Sequence, residues 1–129
     1  MEKITLNRTG DRPVEFIGEE IASADTREHQ GPCQNRWWEI ALYRNEPGKF
    51  VLAIGYRTQW QGEHPTDTVY VCDTAEETAD AARAHPYNSG VSGFPHGHDE
   101  RQARLEQMLR QCWEAGLTEI LGCVGPEKI

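Results

Sequence analysis

The chain has 129 residues and a formal net charge of −8, and this length is typical of one domain with one hydrophobic core. The acidic balance argues against nucleic-acid binding through a broad basic surface. No apolar run approaches the roughly 20 residues that cross a bilayer, and the N-terminus lacks an apolar signal segment. We therefore predict a single domain over residues 1–129, located in the cytoplasm and without a membrane partner.

The N-terminal part alternates between apolar and polar residues, as half-buried strands do. Residues 2–8 predict a first strand, residues 9–13 a turn, and residues 14–22 a second strand. The apolar phase of the second strand changes around Gly18, which predicts a β-bulge at this glycine. The polar stretch from Ser23 to Asn35 predicts a loop.

The stretch from Arg36 to Trp60 predicts a β-hairpin around which the fold is organised. Asn45 to Lys49 has the proline and glycine of a tight turn. If Arg44 lies opposite Phe50, all the alternating apolar residues fall on one face, and a slip by one residue would expose them. This predicted apolar face consists of Trp38, Ile40, Leu42, Phe50, Leu52, Ile54, Tyr56 and Trp60.

The opposite face of the hairpin is mixed in character. It holds Trp37, Glu39, Ala41, Tyr43, Val51, Ala53, Gly55 and Arg57. One interpretation is partial cover by a helix or by loops of the chain. The other is a partner-binding surface centred on Trp37, Tyr43 and Arg57, because aromatic residues and arginine are enriched at binding hot spots.

The C-terminal half changes from strand to helix. Thr68 to Cys72 predicts a fifth strand of an antiparallel meander. Thr74 and Glu77 fit a capping box, and the helix they begin is expected to end near His85, before a proline.

An apolar stripe from Leu105 to Trp113 predicts a second, amphipathic helix packed on one sheet face. Gly116 is interpreted as its C-terminal cap, and residues 117–124 as a short strand or an extended segment. The predicted fold class is therefore α+β, with about five antiparallel strands and two helices.

Acidic residues are concentrated between positions 61 and 84, which contain six acids and one base. Four of these acids, Glu63, Asp73, Glu77 and Asp80, are candidates for binding a partner with a basic surface. Asp73, Glu77 and Asp80 also fit a purely structural role, since acids near a helix N-terminus interact favourably with the helix dipole.

Two groups of residues are weighed as candidates for metal binding. His96, His98 and Asp99 have metal-ligand character, although two histidines around a glycine are equally typical of an exposed loop. No cofactor other than a divalent metal is expected. The four cysteines, at positions 33, 72, 112 and 123, lack the close pairs of a zinc site and are predicted to be reduced, small apolar residues.

No arrangement of nucleophile, base and orienting acid is visible in the sequence. We therefore interpret the chain as a non-enzymatic protein-interaction module that acts as an inhibitor or regulator. In size and charge it resembles small acidic inhibitors of phages and plasmids, including anti-CRISPR proteins, although no motif carries this likeness. The alternative is a small metal-dependent enzyme that uses the His96–His98 segment. The mixed hairpin face or an edge strand also suits a homodimer contact.

Overall fold

A computed structural model describes residues 1–26, 35–89 and 100–124. The described elements are β1 (Glu2–Arg8), β2 (Asp11–Asp25), β3 (Arg36–Asn45), β4 (Phe50–Thr58), β5 (Thr66–Cys72), α1 (Ala75–Ala84) and α2 (Glu100–Val124). The strands form one antiparallel sheet in chain order, and α2 contacts β2 and β3. This confirms the predicted α+β class. Within these described ranges, no helix is both long and apolar enough to cross a membrane.

The central hairpin has the predicted register. Arg44 pairs with Phe50, and the pairing continues without a shift along both strands. At the turn, the Asn45 side chain accepts the N–H of Lys49 at 2.7 Å, and Gly48 has a φ of +95°, which a residue without a Cβ adopts readily. One assignment is wrong: Trp60 lies beyond the end of β4 and is 46 % exposed, so it is not part of the apolar face.

The core lies between the apolar hairpin face and α2. Trp38, Leu42 and Leu52 are fully buried. The ring of Trp38 meets that of Trp113 edge-on, with centroids 5.9 Å apart. The residues that α2 contributes are Leu109, Cys112, Trp113, Ile120 and Val124.

Helix α2 does not end at Gly116, and the predicted strand or extended segment over residues 117–124 is also wrong, because the helix continues to Val124. A Cβ at Gly116 would lie 2.8 Å from Thr26 Cγ2 and 3.3 Å from Ile40 Cδ1. The glycine therefore permits close approach of the helix to the sheet rather than capping it.

Strand β2 is longer than predicted, since it continues through Asp25 where the sequence suggests a loop. Its register shifts between Glu20 and Ala22, so the bulge is not at Gly18. A Cβ at Gly18 would instead collide with the carbonyl oxygen of Arg44. This glycine therefore allows close contact between neighbouring strands.

Helix α1 begins and ends as the sequence predicts. The hydroxyl of Thr74 accepts the N–H of Glu77 at 3.1 Å, and the Glu77 carboxylate accepts the N–H of Asp73 at 3.0 Å. These bonds satisfy two backbone donors at the start of the helix. The helix ends at Ala84, next to the predicted His85.

The expectation that all cysteines are reduced is wrong at Cys112, which is disulfide-bonded. Cys72 and Cys123 are free thiols, the first buried and the second exposed. Disulfides are uncommon in cytosolic proteins, so Cys112 weighs against the predicted cytoplasmic location, which stays a prediction.

Candidate functional site

The sheet curls, and its first and last strands meet at one end. The N–H of Thr9, just after β1, donates to the carbonyl of Asp67 in β5 at 2.9 Å. The N–H of Asp67 donates in return to the hydroxyl of Thr9 at 2.7 Å. This pair of bonds brings β1 next to β5, so the face of the sheet that is turned away from α2 becomes concave.

This concave face contains a cavity of about 400 Å³ that is lined by residues from all five strands. We call it the concave cavity. Its floor includes three small residues on the mixed face of the hairpin, namely Ala41, its partner Ala53, and Gly55. Small side chains at these positions leave space that larger residues would fill. The cavity lies within the roughly 300–1,000 Å³ typical of ligand-binding clefts.

Arg57 is the central charged residue of the concave cavity. Its Nη2 lies 2.8 Å from Asp67 Oδ1, and its Nε lies 3.4 Å from Glu39 Oε1. Its Nη1 donates to the carbonyl oxygens of Tyr56 and Thr66, both at 3.2 Å. Two carboxylates and two carbonyls therefore hold one guanidinium in place.

Gly55 makes room for this arginine. A Cβ at position 55 would lie 2.8 Å from Arg57 Nη2, so any larger residue would displace the guanidinium. The side chains of Arg57, Glu39 and Asp67 are 29 %, 43 % and 35 % exposed. Because this exposure allows water to screen the ion pairs, each contributes modestly to stability, and all three groups are accessible to a ligand.

Aromatic residues flank the cavity. The indole N–H of Trp37 donates to Glu39 Oε2 at 3.0 Å, which fixes the orientation of that carboxylate. The ring of Tyr43 meets Phe16 edge-on, with centroids 5.7 Å apart. Burial and then the charge of Glu20 raise the pKa of Tyr43, so its hydroxyl keeps its proton at neutral pH.

The three hairpin residues predicted to bind a partner lie on the same face of the sheet as the concave cavity. Tyr43 and Arg57 line the concave cavity, and Trp37 contacts Glu39, which also lines it. Sequence reasoning missed Asp67, because the predicted fifth strand began two residues too late, and it included Glu39 in the face without assigning it a role. The alternation of residues along β3 assigns Glu39 to this face, and a role for Glu39 at the cavity could have been predicted from it.

Glu63 lies elsewhere, in a buried cluster beyond the end of the hairpin. Its side chain is completely buried, and Arg36, which is 2 % exposed, pairs with it. Glu63 Oε1 also accepts the hydroxyls of Tyr56 at 2.6 Å and Thr58 at 2.9 Å. Burial first, and then Glu63, raise the pKa of Tyr56 well above its usual range. Glu63 therefore adds nothing to an exposed acidic surface.

Trp60 covers this buried cluster from the solvent side. The guanidinium carbon of Arg36 lies 4.8 Å from the centroid of the Trp60 ring, within the range of a cation–π contact. The half-exposed indole thus has a structural role, namely to shield the buried ion pair.

The three other acidic candidates do not line the concave cavity. Asp73 pairs with Lys49 at 3.2 Å, and Asp80 lies 3.8 Å from Arg83. Glu77 is occupied as part of the capping box. Asp73 and Glu77 have a structural role at the start of α1, which explains the presence of these two acids there. Partner binding by Asp73, Glu77 and Asp80 stays a prediction.

The predicted metal ligands His96, His98 and Asp99 lie outside the described residues. Over residues 1–26, 35–89 and 100–124, no group of three or more histidine, cysteine, aspartate or glutamate side chains is placed to hold a metal ion.

Comparison with known proteins identifies no relative: the chain matches no protein-family model, no curated protein and no solved structure.

Proposed function

We propose that this chain is a non-enzymatic protein-interaction module, an inhibitor or regulator that accepts a basic side chain of its partner in the concave cavity. The observation that carries this proposal is the convergence of Glu39 and Asp67 on one guanidinium, Arg57, at an accessible cavity. The curled sheet forms the cavity, and Glu39 and Asp67 give it negative charge.

Charge balance favours a cation over an anion as the group that enters. Two carboxylates face a single guanidinium, and a third acid, Asp25, also lines the cavity. An entering anion would meet these carboxylates at short range, where like charges repel. An entering ammonium or guanidinium can share their oxygens, since a carboxylate accepts several hydrogen bonds.

The aromatic surroundings favour a partner protein over a free ion. Trp37, which donates to Glu39, and Tyr43, which lines the cavity, are both half-buried, and tyrosine, tryptophan and arginine are the residues that dominate protein interfaces. The aliphatic part of a lysine or arginine side chain can pack against such rings while its charged end reaches the carboxylates. The net charge of −8 would speed the approach of a basic partner.

A display library of random peptides tests this proposal even when the partner is unidentified. Selection on the wild type is expected to enrich lysine and arginine, and the selected peptides should bind more weakly as salt increases. The double variant Glu39→Gln/Asp67→Asn should lose most of this binding. The control Glu76→Gln/Glu114→Gln removes the same charge from exposed positions on α1 and α2 and should retain it.

Two results would refute the proposal. One is a selection that enriches no basic residues. The other is equal binding of the selected peptides by the wild type and the Glu39→Gln/Asp67→Asn variant, which would move recognition away from the concave cavity.

A further inference from the structure

The segment that follows α1 is attached to the core by aromatic rings. The ring of His85, which caps the C-terminus of α1, lies 5.5 Å from the ring of Trp113. The ring of Tyr87 stacks nearly parallel on Trp113, also at 5.5 Å, and meets Trp38 edge-on at 5.9 Å. The indole N–H of Trp38 donates to the carbonyl of Tyr87 at 3.0 Å. Residues 85–89 therefore contact both α2 and the sheet.

The buried surroundings of His85 favour a neutral imidazole. Its Nδ1 lies 2.8 Å from the hydroxyl oxygen of Tyr70. Burial raises the pKa of Tyr70, so this hydroxyl stays neutral and offers no negative charge to a protonated imidazole. Burial also lowers the pKa of His85, because the charged form would lose its hydration.

The charged groups around His85 do not compensate a positive charge. On α2, Arg110 interacts with Tyr87 and with the acids Glu106 and Glu114. On α1, Arg83 pairs with Asp80 at an exposed position. Among the described residues no carboxylate shifts the pKa of His85, for which burial is the one cause. An imidazolium at this position would therefore gain no compensating carboxylate from the part of the chain that the structure describes.

We propose that residues 85–89 form a proton-sensitive latch on α2. With His85 neutral, the rings of His85 and Tyr87 cover Trp113, and protonation of His85 releases them and uncovers an aromatic surface on the helix. This latch lies on the α2 side of the sheet, opposite the concave cavity, and does not depend on the function proposed for that cavity.

The direction of the pH dependence follows from linkage. Because the folded state holds His85 with a lowered pKa, the latch is fully stable above the ordinary histidine pKa of about 6.5. Its stability is lost as the pH falls below that value and through the folded-state pKa. Between the ordinary histidine pKa and the folded-state pKa of His85, the equilibrium constant for opening of the latch should rise about tenfold for each unit by which the pH falls.

The Trp38 indole N–H reports on the latch directly, since its acceptor is the carbonyl of Tyr87. In ¹⁵N NMR spectra recorded from pH 7.5 to 4.5, we expect this resonance to shift and its exchange protection to fall, while the far-ultraviolet circular dichroism stays unchanged. The variant His85→Phe keeps a ring but cannot be protonated, so its Trp38 signal should be independent of pH over this range. His64→Gln, which removes an exposed histidine, should behave as the wild type.

Three outcomes would overturn the latch. The Trp38 signal could stay constant in the wild type while the ring protons of His85 titrate. The transition could persist in His85→Phe, or it could coincide with unfolding of the whole chain. If His85→Phe does not fold, the ring protons of His85 in the wild type decide the question, because a measured pKa above about 6.5 contradicts the proposal.

Discussion

Replacement of Glu63 by glutamine tests how much the buried ion pair with Arg36 contributes to stability. The glutamine keeps the size of the side chain but removes the charge. The Glu63 side chain is fully buried, that of Arg36 is 2 % exposed, and the carboxylate also accepts the hydroxyls of Tyr56 and Thr58. Glu63→Gln breaks the buried ion pair by removing the carboxylate that faces Arg36, and the loss of one partner of such a pair typically costs about 3–5 kcal/mol.

Urea unfolding followed by circular dichroism measures this cost. With an m value of about 2 kcal/mol/M, typical of small domains, the midpoint should fall by about 1.5–2.5 M. The matched control is Glu15→Gln, which breaks the exposed ion pair between Lys3 and Glu15 (3.4 Å, side chains 64 % and 58 % exposed) and should change the free energy of unfolding by less than about 0.5 kcal/mol.

The double variant Arg36→Met/Glu63→Leu separates the charge effect from a loss of packing. Because it removes both charges, it should be much less destabilised than Glu63→Gln. A loss below about 1 kcal/mol for Glu63→Gln, or a loss equal to that of Glu15→Gln, would refute the view that this cluster holds the end of the hairpin together.

Two further predictions concern glycine packing and the metal alternative. Gly18→Ala should lower the urea midpoint, because the added Cβ would meet the carbonyl oxygen of Arg44, whereas Gly122→Ala, where nothing lies within 4 Å of the added atom, should stabilise α2 by about 0.5–1 kcal/mol. Equal effects of the two would contradict the assigned role of Gly18. Elemental analysis of the purified protein tests the metal-dependent enzyme: that alternative predicts one ion per chain, lost in His96→Ala/His98→Ala, and a wild type without a stoichiometric ion excludes it.

The hairpin could be predicted from the sequence because two independent local signals agree. The alternation of apolar residues fixes which face is buried, and the turn between Asn45 and Lys49 fixes the register. Both signals act within 25 residues of chain, so no distant contact is needed to interpret them. The capping box of α1 is local in the same way.

The sequence alone does not give the correct end of α2, because a glycine in a helical pattern can have either of two roles. Gly116 could either cap a helix or allow it to approach the sheet, and only the contact with Thr26 and Ile40 decides between them. The apolar stripe does continue beyond it to Ile120 and Val124 at helical spacing, and this continuation was the signal for a longer helix.

The curvature of the sheet and the buried state of Glu63 depend on contacts that one sequence does not reveal. Alternation assigns Glu39 and Arg57 to one face, but the closure between Thr9 and Asp67 that makes this face concave joins residues 58 positions apart. Glu63 pairs with an arginine 27 positions away. An acid in a polar turn is usually exposed, so its burial could not be inferred from composition.

The central claim is that the concave cavity recognises a positive charge, and an NMR titration with N-acetyl-arginine methylamide tests it most directly. The citrulline analogue, which has nearly the same shape without the charge, is the control ligand. A single side chain is expected to bind with a Kd on the order of 1 mM or weaker, which still gives measurable shifts of the backbone amides at the cavity floor, Ala53 and Gly55.

We predict that the arginine ligand shifts these amides in the wild type, that the citrulline ligand does not, and that Glu39→Gln/Asp67→Asn reduces the response several-fold. Equal responses to the two ligands, or shifts confined to residues outside the cavity, would contradict the account.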